Sequence, residues 1–416
     1  MRALVAAFAA TLAAASTVAA DCVPTATDLC LGGGRFRAAL EWHDPYNGGS
    51  GTGRAEPLTE DSGYFWFFRE TNLELVIKVL DGRPVNDRFW VFTAALSTVE
   101  HRLEITDTVS GLSRRYHNPP FEQARLADTA AFDQRLIAGG LLWIGAHPDD
   151  ELLLAPWLGQ ACVEAGRPCT LLVATRGESG VCRLPGGCEP DLGTVRAAEM
   201  EAAAAALGAE LVQWTLADGA GGDPQAVTAA WAAQSGGEEA PIDRLAAAIG
   251  SAAPSAVLTF DPRHGSTCHP DHRALGSLAL EALRRLGPAA PPAWLVATRP
   301  DGSPHGSFGG YLPAVAGDQR LIHYDATRPL ASAGGEAWGF VPRLAEIHTS
   351  QFPPAAVAAL AAAPPARRRV HLLPAPAASA ADPAYQGLCG GGAAAPAATG
   401  GPRRIQSAPD GPTPRR

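Results

Sequence analysis

Along residues 141–154, LLWIGAHPDDELLL, five apolar positions lead into a short polar stretch containing a proline, and apolar positions then return at helical spacing. The first run has the pattern of a strand buried on both faces of a parallel sheet. Proline and the polar residues end it, and acidic residues fall in the first turn of the helical stretch, where the helix dipole favours negative charge. The same unit recurs further on: an apolar strand at 256–260 runs into FDPRHGSTCHPDH and then a helical stretch at 273–286. Further strands are predicted at 170–175, 210–214 and 294–297, and helices at 150–165, 192–207 and 240–252. Such alternation forces parallel strands with right-handed crossovers. Residues 138–375 therefore read as an α/β domain, a Rossmann-like, mostly parallel sheet flanked by helices. Loop signals at Gly186-Gly187 and at 219–223 fall over the same edge as the two polar loops.

Residues 21–128 have a different rhythm. Runs at 35–42 and 73–80 alternate apolar and polar positions, the half-buried strand pattern. The aromatic stretch GYFWFF at 63–68 and runs at 88–96 and 102–109 continue the series. Short strands at this spacing predict a small all-β, sandwich-like domain ahead of the α/β domain. Trp42, Tyr64, Trp66 and Trp90 fit two readings, filling of the sandwich core or a platform on which sugars stack. Residues 127–140 read as a helical or irregular connector. After residue 352 the composition shifts to Ala and Pro, with a last helix predicted at 355–363, and the Gly/Pro/Ala-rich stretch 390–416 reads as a disordered tail.

Residues 1–20 carry Arg2, an almost unbroken Ala/Val/Leu run and Val18-Ala19-Ala20, the pattern of a secretory signal peptide with a small-residue cleavage site. The run is too short for a spanning helix, and no other stretch is long enough. The expectation is a secreted or periplasmic protein with no integral membrane span in the mature chain. A net charge of -9 argues against nucleic acid and anionic membrane surfaces as partners. Lys78 is the only lysine. The eight cysteines, an even count in an exported chain, suggest disulfides. Sequence proximity favours Cys22–Cys30, Cys162–Cys169 and Cys182–Cys188, leaving Cys268 with Cys389. A thiolate zinc site is disfavoured, because no pair has the C-x-x-C spacing.

The two polar loops gather His147, Asp149, Asp150 and Glu151 at one strand end and His269, Asp271 and His272 at another. In an open α/β sheet that edge is where ligands bind. Carboxylates crowded there repel one another unless a cation is present, and a divalent metal is the simplest neutraliser.

AHPDDE at 146–151 and HPDH at 269–272 resemble the motifs of the PIG-L-like family of zinc-dependent N-acetylglucosaminyl deacetylases. TRGESG at 175–180, RAAEMEAAAAALG at 196–208, LADG at 216–219 and IHTSQ at 347–351 add weaker pieces in the same order. The resemblance implies Zn2+ held by His147, Asp150 and His272, three ligands that leave a position open for water. It leaves Asp149 unliganded, as the general base that deprotonates a water whose pKa zinc lowers to about 7. His269 would stabilise the oxyanion or protonate the leaving amine. Asp271 would orient His269 by accepting its other ring N–H, or simply cap the helix. Arg196 would face the sugar, or pair with Glu199 three residues on. Asp218 would bond sugar hydroxyls or make a turn, and His348 would contact substrate or serve the structure. His264 reads as a spectator on a flexible loop, and His43, His101 and His117 as surface residues.

The function implied is an exported metal-dependent hydrolase that removes an N-acetyl group from an N-acetylglucosamine-type sugar, glycoconjugate or related metabolite. Its partner would be a small molecule or glycan. Two other readings stand beside it. A non-haem iron oxygenase also uses two histidines and a carboxylate, although its ligands go with a jelly roll rather than βα turns. A non-catalytic carbohydrate-binding module would keep the metal only for stability, and Asp149 argues against that, because a structural metal has no use for a spare base. The cysteine-bearing loop 177–190 and the export signal depart from the family pattern and leave the substrate open.

Overall fold

The computed structural model describes residues 22–299, 310–311, 319–375 and 389. The expected signal peptide and the 390–416 tail lie outside the described residues. The first part of the chain is a run of strands: β1 (Asp28–Leu31), β2 (Phe36–His43), β3 (Ser50–Thr52), β4 (Arg54–Thr59), β5 (Ser62–Trp66), β6 (Leu75–Asp81), β7 (Arg88–Ala95), β8 (Glu100–Asp107), β9 (Leu112–Asn118) and β10 (Arg125–Asp133). β4 to β7 and β10 form a five-stranded antiparallel sheet in the order β10-β7-β6-β5-β4, while β1, β2, β8 and β9 belong to the other layer. Alternate residues of the two layers meet inside. Phe36, Ala38, Leu40, Leu103 and Ile105 from one layer and Phe65, Ile77, Val79, Phe89 and Val91 from the other are all buried. The Phe36 ring lies 4.9 Å from Phe89 and 5.2 Å from Phe132 across the gap. Each such Val, Leu, Ile or Phe side chain, fully buried, contributes about 1.5–3 kcal/mol.

Two expectations change here. Residues 127–133 are not a connector but the end of β10, with Ala131, Phe132 and Asp133 buried and a register shift between Asp128 and Phe132. The sequence DTAA spans the irregularity itself, and the flanking pairs Asp128–Val91 and Phe132–Phe89 carry the strand across it. The four candidate platform residues also separate. Trp42 turns inward and stacks on Phe67 at 5.8 Å and 17°, whereas Tyr64, Trp66 and Trp90 alternate with the buried Phe65, Phe89 and Val91 and face away from the core.

The second part alternates strand and helix. β11 (Leu141–Gly145), β12 (Cys169–Thr175), β13 (Glu210–Leu216), β14 (Ala256–Phe260) and β15 (Ala293–Val296) are parallel in the order β15-β14-β11-β12-β13. Helices Leu192–Ala206, Ala240–Ala252, Pro270–Leu286 and Pro354–Ala361 stand where they were predicted. Helix Pro224–Ser235 was not predicted, although it opens on a regular signal: Asp223 accepts from Ala226 N, and Pro224 comes next. The single helix expected at 150–165 is instead a 3₁₀ turn (Asp150–Leu153), an α turn (Ala155–Leu158) and a π-type turn (Gly159–Glu164). Pro156 removes a backbone donor, and a Cβ on Gly159 would stand 2.2 Å from the Phe340 ring.

The parallel strands do not end the sheet. β15 pairs antiparallel with Arg369–Pro374, which pairs with Ile322–Asp325, which pairs with β9. One 12-stranded mixed sheet thus runs from the sandwich layer into the α/β unit, and the fold is mixed α/β. The two joining strands went unread in sequence because they are short and each places a histidine in the pairing, His323 opposite His371. All four disulfides pair as expected: Cys22–Cys30, Cys162–Cys169, Cys182–Cys188 and Cys268–Cys389. Among the described residues no helix is long and apolar enough to cross a membrane.

Candidate active site

The turn after β11 is closed by its own acid. Asp150 Oδ2 accepts from the backbone N–H of Ala146 at 2.9 Å and of His147 at 2.7 Å, which leaves Oδ1 directed at His272 Nε2, 3.1 Å away. Asp149 pays for the tightness of this turn with φ 106°, a left-handed conformation uncommon outside glycine. Its carboxylate meets Arg196 Nη2 at 2.9 Å, and its N–H donates to Glu151 Oε2 at 3.2 Å.

The loop after β14 delivers the second set. Gly265, at φ 52°, passes so close to His272 that an added Cβ would lie 2.7 Å from the histidine Cβ. This approach lets Gly265 O sit 2.8 Å from His272 Nδ1, and the ring stacks on Phe260 at 4.0 Å. With Nδ1 donating to that carbonyl, Nε2 is the lone-pair nitrogen and faces His147 Nδ1 at 3.1 Å.

His147 Nδ1, His272 Nε2 and the Asp150 carboxylate are thus separated by 3.1, 3.1 and 3.6 Å. Donors on a tetrahedral zinc, with bonds of 2.0–2.1 Å, stand about 3.3–3.4 Å apart. The donor set fits that ion. Two other groups of three also lie close enough to share one: His147 with His269 and His272, and His147 with Asp218 and Asp271. The first set is favoured by the far side of the His147 ring. Nε2 lies 3.0 Å from Asp218 Oδ1 and 3.3 Å from Asp271 Oδ2, an acidic backing that orients the imidazole and frees Nδ1 for a metal.

The electrostatics reflect the same geometry. Burial opposes charge on His147, but Asp150, Asp218 and Asp271 together hold its imidazolium well above the ordinary range. Burial likewise opposes the Asp150 carboxylate, and His272 and His147 overcome it and hold the group well below the usual value. Asp149 goes the other way: burial raises it, and Arg196 only partly offsets this. His269 is lowered to about 4 by burial and by its neighbours His147 and His272.

A cleft of about 360 Å³ is lined by His147, Asp149, Asp150, Arg196, Asp218, His269 and His272, together with Ser179, Gly180 and Gly219. A larger hollow of about 650 Å³ lies beside the Cys182–Cys188 loop, but its lining is mainly Leu, Pro, Val, Ala and Phe352, without clustered acids or imidazoles. The clustered acids and imidazoles line the smaller cleft.

Several expected roles change. Asp271 does not accept from the His269 ring; it is the Asp271 backbone N–H that donates to His269 Nδ1, at 3.2 Å, while the carboxylate faces His147 and accepts from Gly219 N at 3.0 Å. His348 is fully buried and lies 2.6 Å from Glu151 Oε1, so it backs the Asp149 turn and does not reach the cleft. Arg196 does not pair with Glu199. It donates to Asp149, to Gly177 O and to Pro148 O, while Glu199 accepts from Ser350 and Thr349. Asp218 uses one oxygen on His147 and the other on Ser179 N at 2.8 Å, which leaves little for sugar hydroxyls. His264 is buried beside Asp261 rather than loose, and His101 is buried. Ser179, Gly180 and Gly219 were not singled out, although they lie within the TRGESG and LADG pieces.

Residues 142–283 match the PIG-L family, described as GlcNAc-PI de-N-acetylase. The 1D-myo-inositol 2-acetamido-2-deoxy-alpha-D-glucopyranoside deacetylase of Nakamurella multipartita is 34% identical over 210 residues, 44% of this chain and 70% of that protein. The protein of the same name from Kineococcus radiotolerans is 31% identical over 227 residues, 47% of this chain and 58% of that one. Among solved structures, N,N'-diacetylchitobiose deacetylase from Pyrococcus horikoshii aligns at 18% identity and a TM-score of 0.35, over 53% of this chain and 73% of that chain.

Proposed function

From its membership of the PIG-L family, to which this chain belongs, we propose that the protein is an exported zinc-dependent N-deacetylase acting on an N-acetylglucosamine-type sugar, glycoconjugate or related metabolite. The observation that carries this is the convergence of His147 Nδ1, His272 Nε2 and Asp150, with an Asp149 carboxylate beside them that binds none of the three. A purely structural ion would not need that extra acid. The names of the relatives support an acetamido sugar as substrate. Four disulfides support an oxidising compartment, secreted or periplasmic.

When bound by these ligands, zinc supplies Lewis-acid polarisation of an amide carbonyl and makes water more acidic. Asp149 takes the proton from the attacking water; its raised pKa makes it a stronger base than an ordinary carboxylate, and Arg196 fixes its orientation. His269 Nδ1 accepts from the Asp271 N–H, so the ring proton sits on Nε2. With its pKa lowered to about 4 the ring is neutral, a hydrogen-bond donor to the developing oxyanion and a poor acid. Asp149 therefore returns the proton to the leaving amine as the C–N bond breaks, giving acetate and a free amino sugar.

The test is acetate release from a panel of N-acetylated sugars by metal-stripped protein, with and without added zinc. Zinc-restored release supports the proposal. A requirement for iron(II) and oxygen would transfer the site to the oxygenase reading, and no release under any metal would favour the binding-module reading.

A further inference from the structure

The chemistry of the cleft makes no use of the outer face of the five-stranded sheet. Along β5, Tyr64 and Trp66 alternate with the buried Phe65; along β6, Val76, Lys78 and Leu80 alternate with Leu75, Ile77 and Val79; along β7, Trp90 and Phe92 alternate with Phe89 and Val91. Alternation across the pleat puts four aromatic rings on the side away from the core. The pairing register spreads them across the face in two pairs: Tyr64 stands opposite Val76, Lys78 opposite Phe92, Leu80 opposite Trp90 and Arg54 opposite Trp66, which puts Tyr64 and Trp66 toward one end and Trp90 and Phe92 toward the other. Trp90 and Phe92 have centroids 6.4 Å apart, and the Arg54 guanidinium is 6.0 Å from the Trp66 ring. Gly82 lets Trp90 lie close to the backbone, since a Cβ there would be 2.2 Å from its Nε1, which donates to Asn86 Oδ1 at 2.9 Å. All four rings are half-buried, so they form a floor rather than protruding anchors.

The same strand positions carry three exposed cations, Arg54, Lys78 and Arg125, against one carboxylate, Glu56. None of the three cations forms a salt bridge to a described carboxylate. On a chain of net charge -9 this is a local reversal of sign that includes its only lysine.

We propose that this face binds an anionic polysaccharide. The rings present flat apolar surfaces of negative quadrupole to the C–H faces of pyranose units, and the unpaired cations meet carboxylates along the strand. An anionic bilayer suits it less well, because interfacial anchoring uses apolar side chains that reach into the acyl boundary, and each of these rings is half-buried.

The experiment uses the full chain, with polygalacturonate as probe at low salt, measured by affinity electrophoresis and calorimetry. Binding to polygalacturonate, weakened at least tenfold by Trp66→Ala and by Lys78→Glu and weakened again by added salt, is the expected result. Acetate release from a soluble N-acetylated sugar should be unchanged in both variants. Lys78→Glu alters only an exposed side chain, so it remains decisive if Trp66→Ala misfolds. Equal binding by all three proteins, binding only to uncharged cellulose or xylan, preference for phosphatidylglycerol vesicles, or self-association that Lys78→Glu abolishes would each overturn the proposal.

Discussion

Asp149 and Arg196 meet at 2.9 Å, joining the turn after β11 to the helix Leu192–Ala206. The arginine also binds the carbonyls of Pro148 and Gly177, so one guanidinium fixes both the backbone and the side chain of the proposed base. Arg196 is buried, and the contact is correspondingly little screened.

Asp149→Asn keeps the shape of the side chain and removes its basicity. Hydrolysis should fall about 10²–10⁴-fold, the contribution of a positioned general base, with zinc content by atomic absorption equal to that of the parent. A variant with near-parental turnover would show that another group accepts the proton.

Arg196→Gln tests the electrostatic half of the same contact. Burial raises Asp149 and Arg196 pulls it down, so loss of the guanidinium should raise the base further. Activity requires the ionised carboxylate and is lost as pH falls through its pKa. The acidic limb of the kcat/KM profile should therefore move to higher pH, and a limb that stays in place or moves lower would contradict the assignment.

Zinc uptake should release protons. His147 is held as an imidazolium well above its ordinary pKa, chiefly by Asp150, Asp218 and Asp271 against the effect of burial, and a metal ligand must be neutral. Calorimetric titration of the metal-stripped protein near neutral pH should show a heat that depends on the ionisation enthalpy of the buffer, with affinity rising as pH rises. Buffer-independent heats would mean that His147 gives up no proton on binding.

His348→Ala concerns stability. The His348–Glu151 pair has no solvent exposure on either side chain, and removing the histidine leaves a buried acid with no cationic partner and only the Asp149 N–H as donor, at a cost of about 3–5 kcal/mol. Burial opposes charge on His348, but Glu151 raises its pKa. The stabilisation from this charge is complete below the unfolded value, about 6.5, and is lost as pH rises through the raised folded value. The melting temperature of the variant should thus differ most from the parent below about pH 6.5. A Tm deficit that is the same at acid and alkaline pH would show that charge on His348 does not contribute.

Much of the α/β unit was legible because its signals are local. Leu141–Gly145 and Ala256–Phe260 are uninterrupted apolar runs ending in polar loops, and both are strands at the predicted boundaries. The metal-binding candidates were legible for the same reason, since His147 and Asp150 share one turn. The end of β10 and the strands Ile322–Asp325 and Arg369–Pro374 were not, because a partner distant in sequence holds them extended. Roles depending on direction were illegible too: Asp271 sits in the HPDH piece whichever histidine its carboxylate faces.

The order of residues along the chain by itself determined which groups stand at the carboxyl ends of β11 and β14, because hydrophobic period and turn chemistry act over a few neighbouring positions. Only the tertiary structure decided that His348 is a buried brace, that Asp271 and Asp218 back His147, and that the sandwich layer and the α/β unit share one sheet. Those outcomes depend on contacts between segments far apart in the chain, and no local pattern encodes the direction in which a side chain meets such a partner.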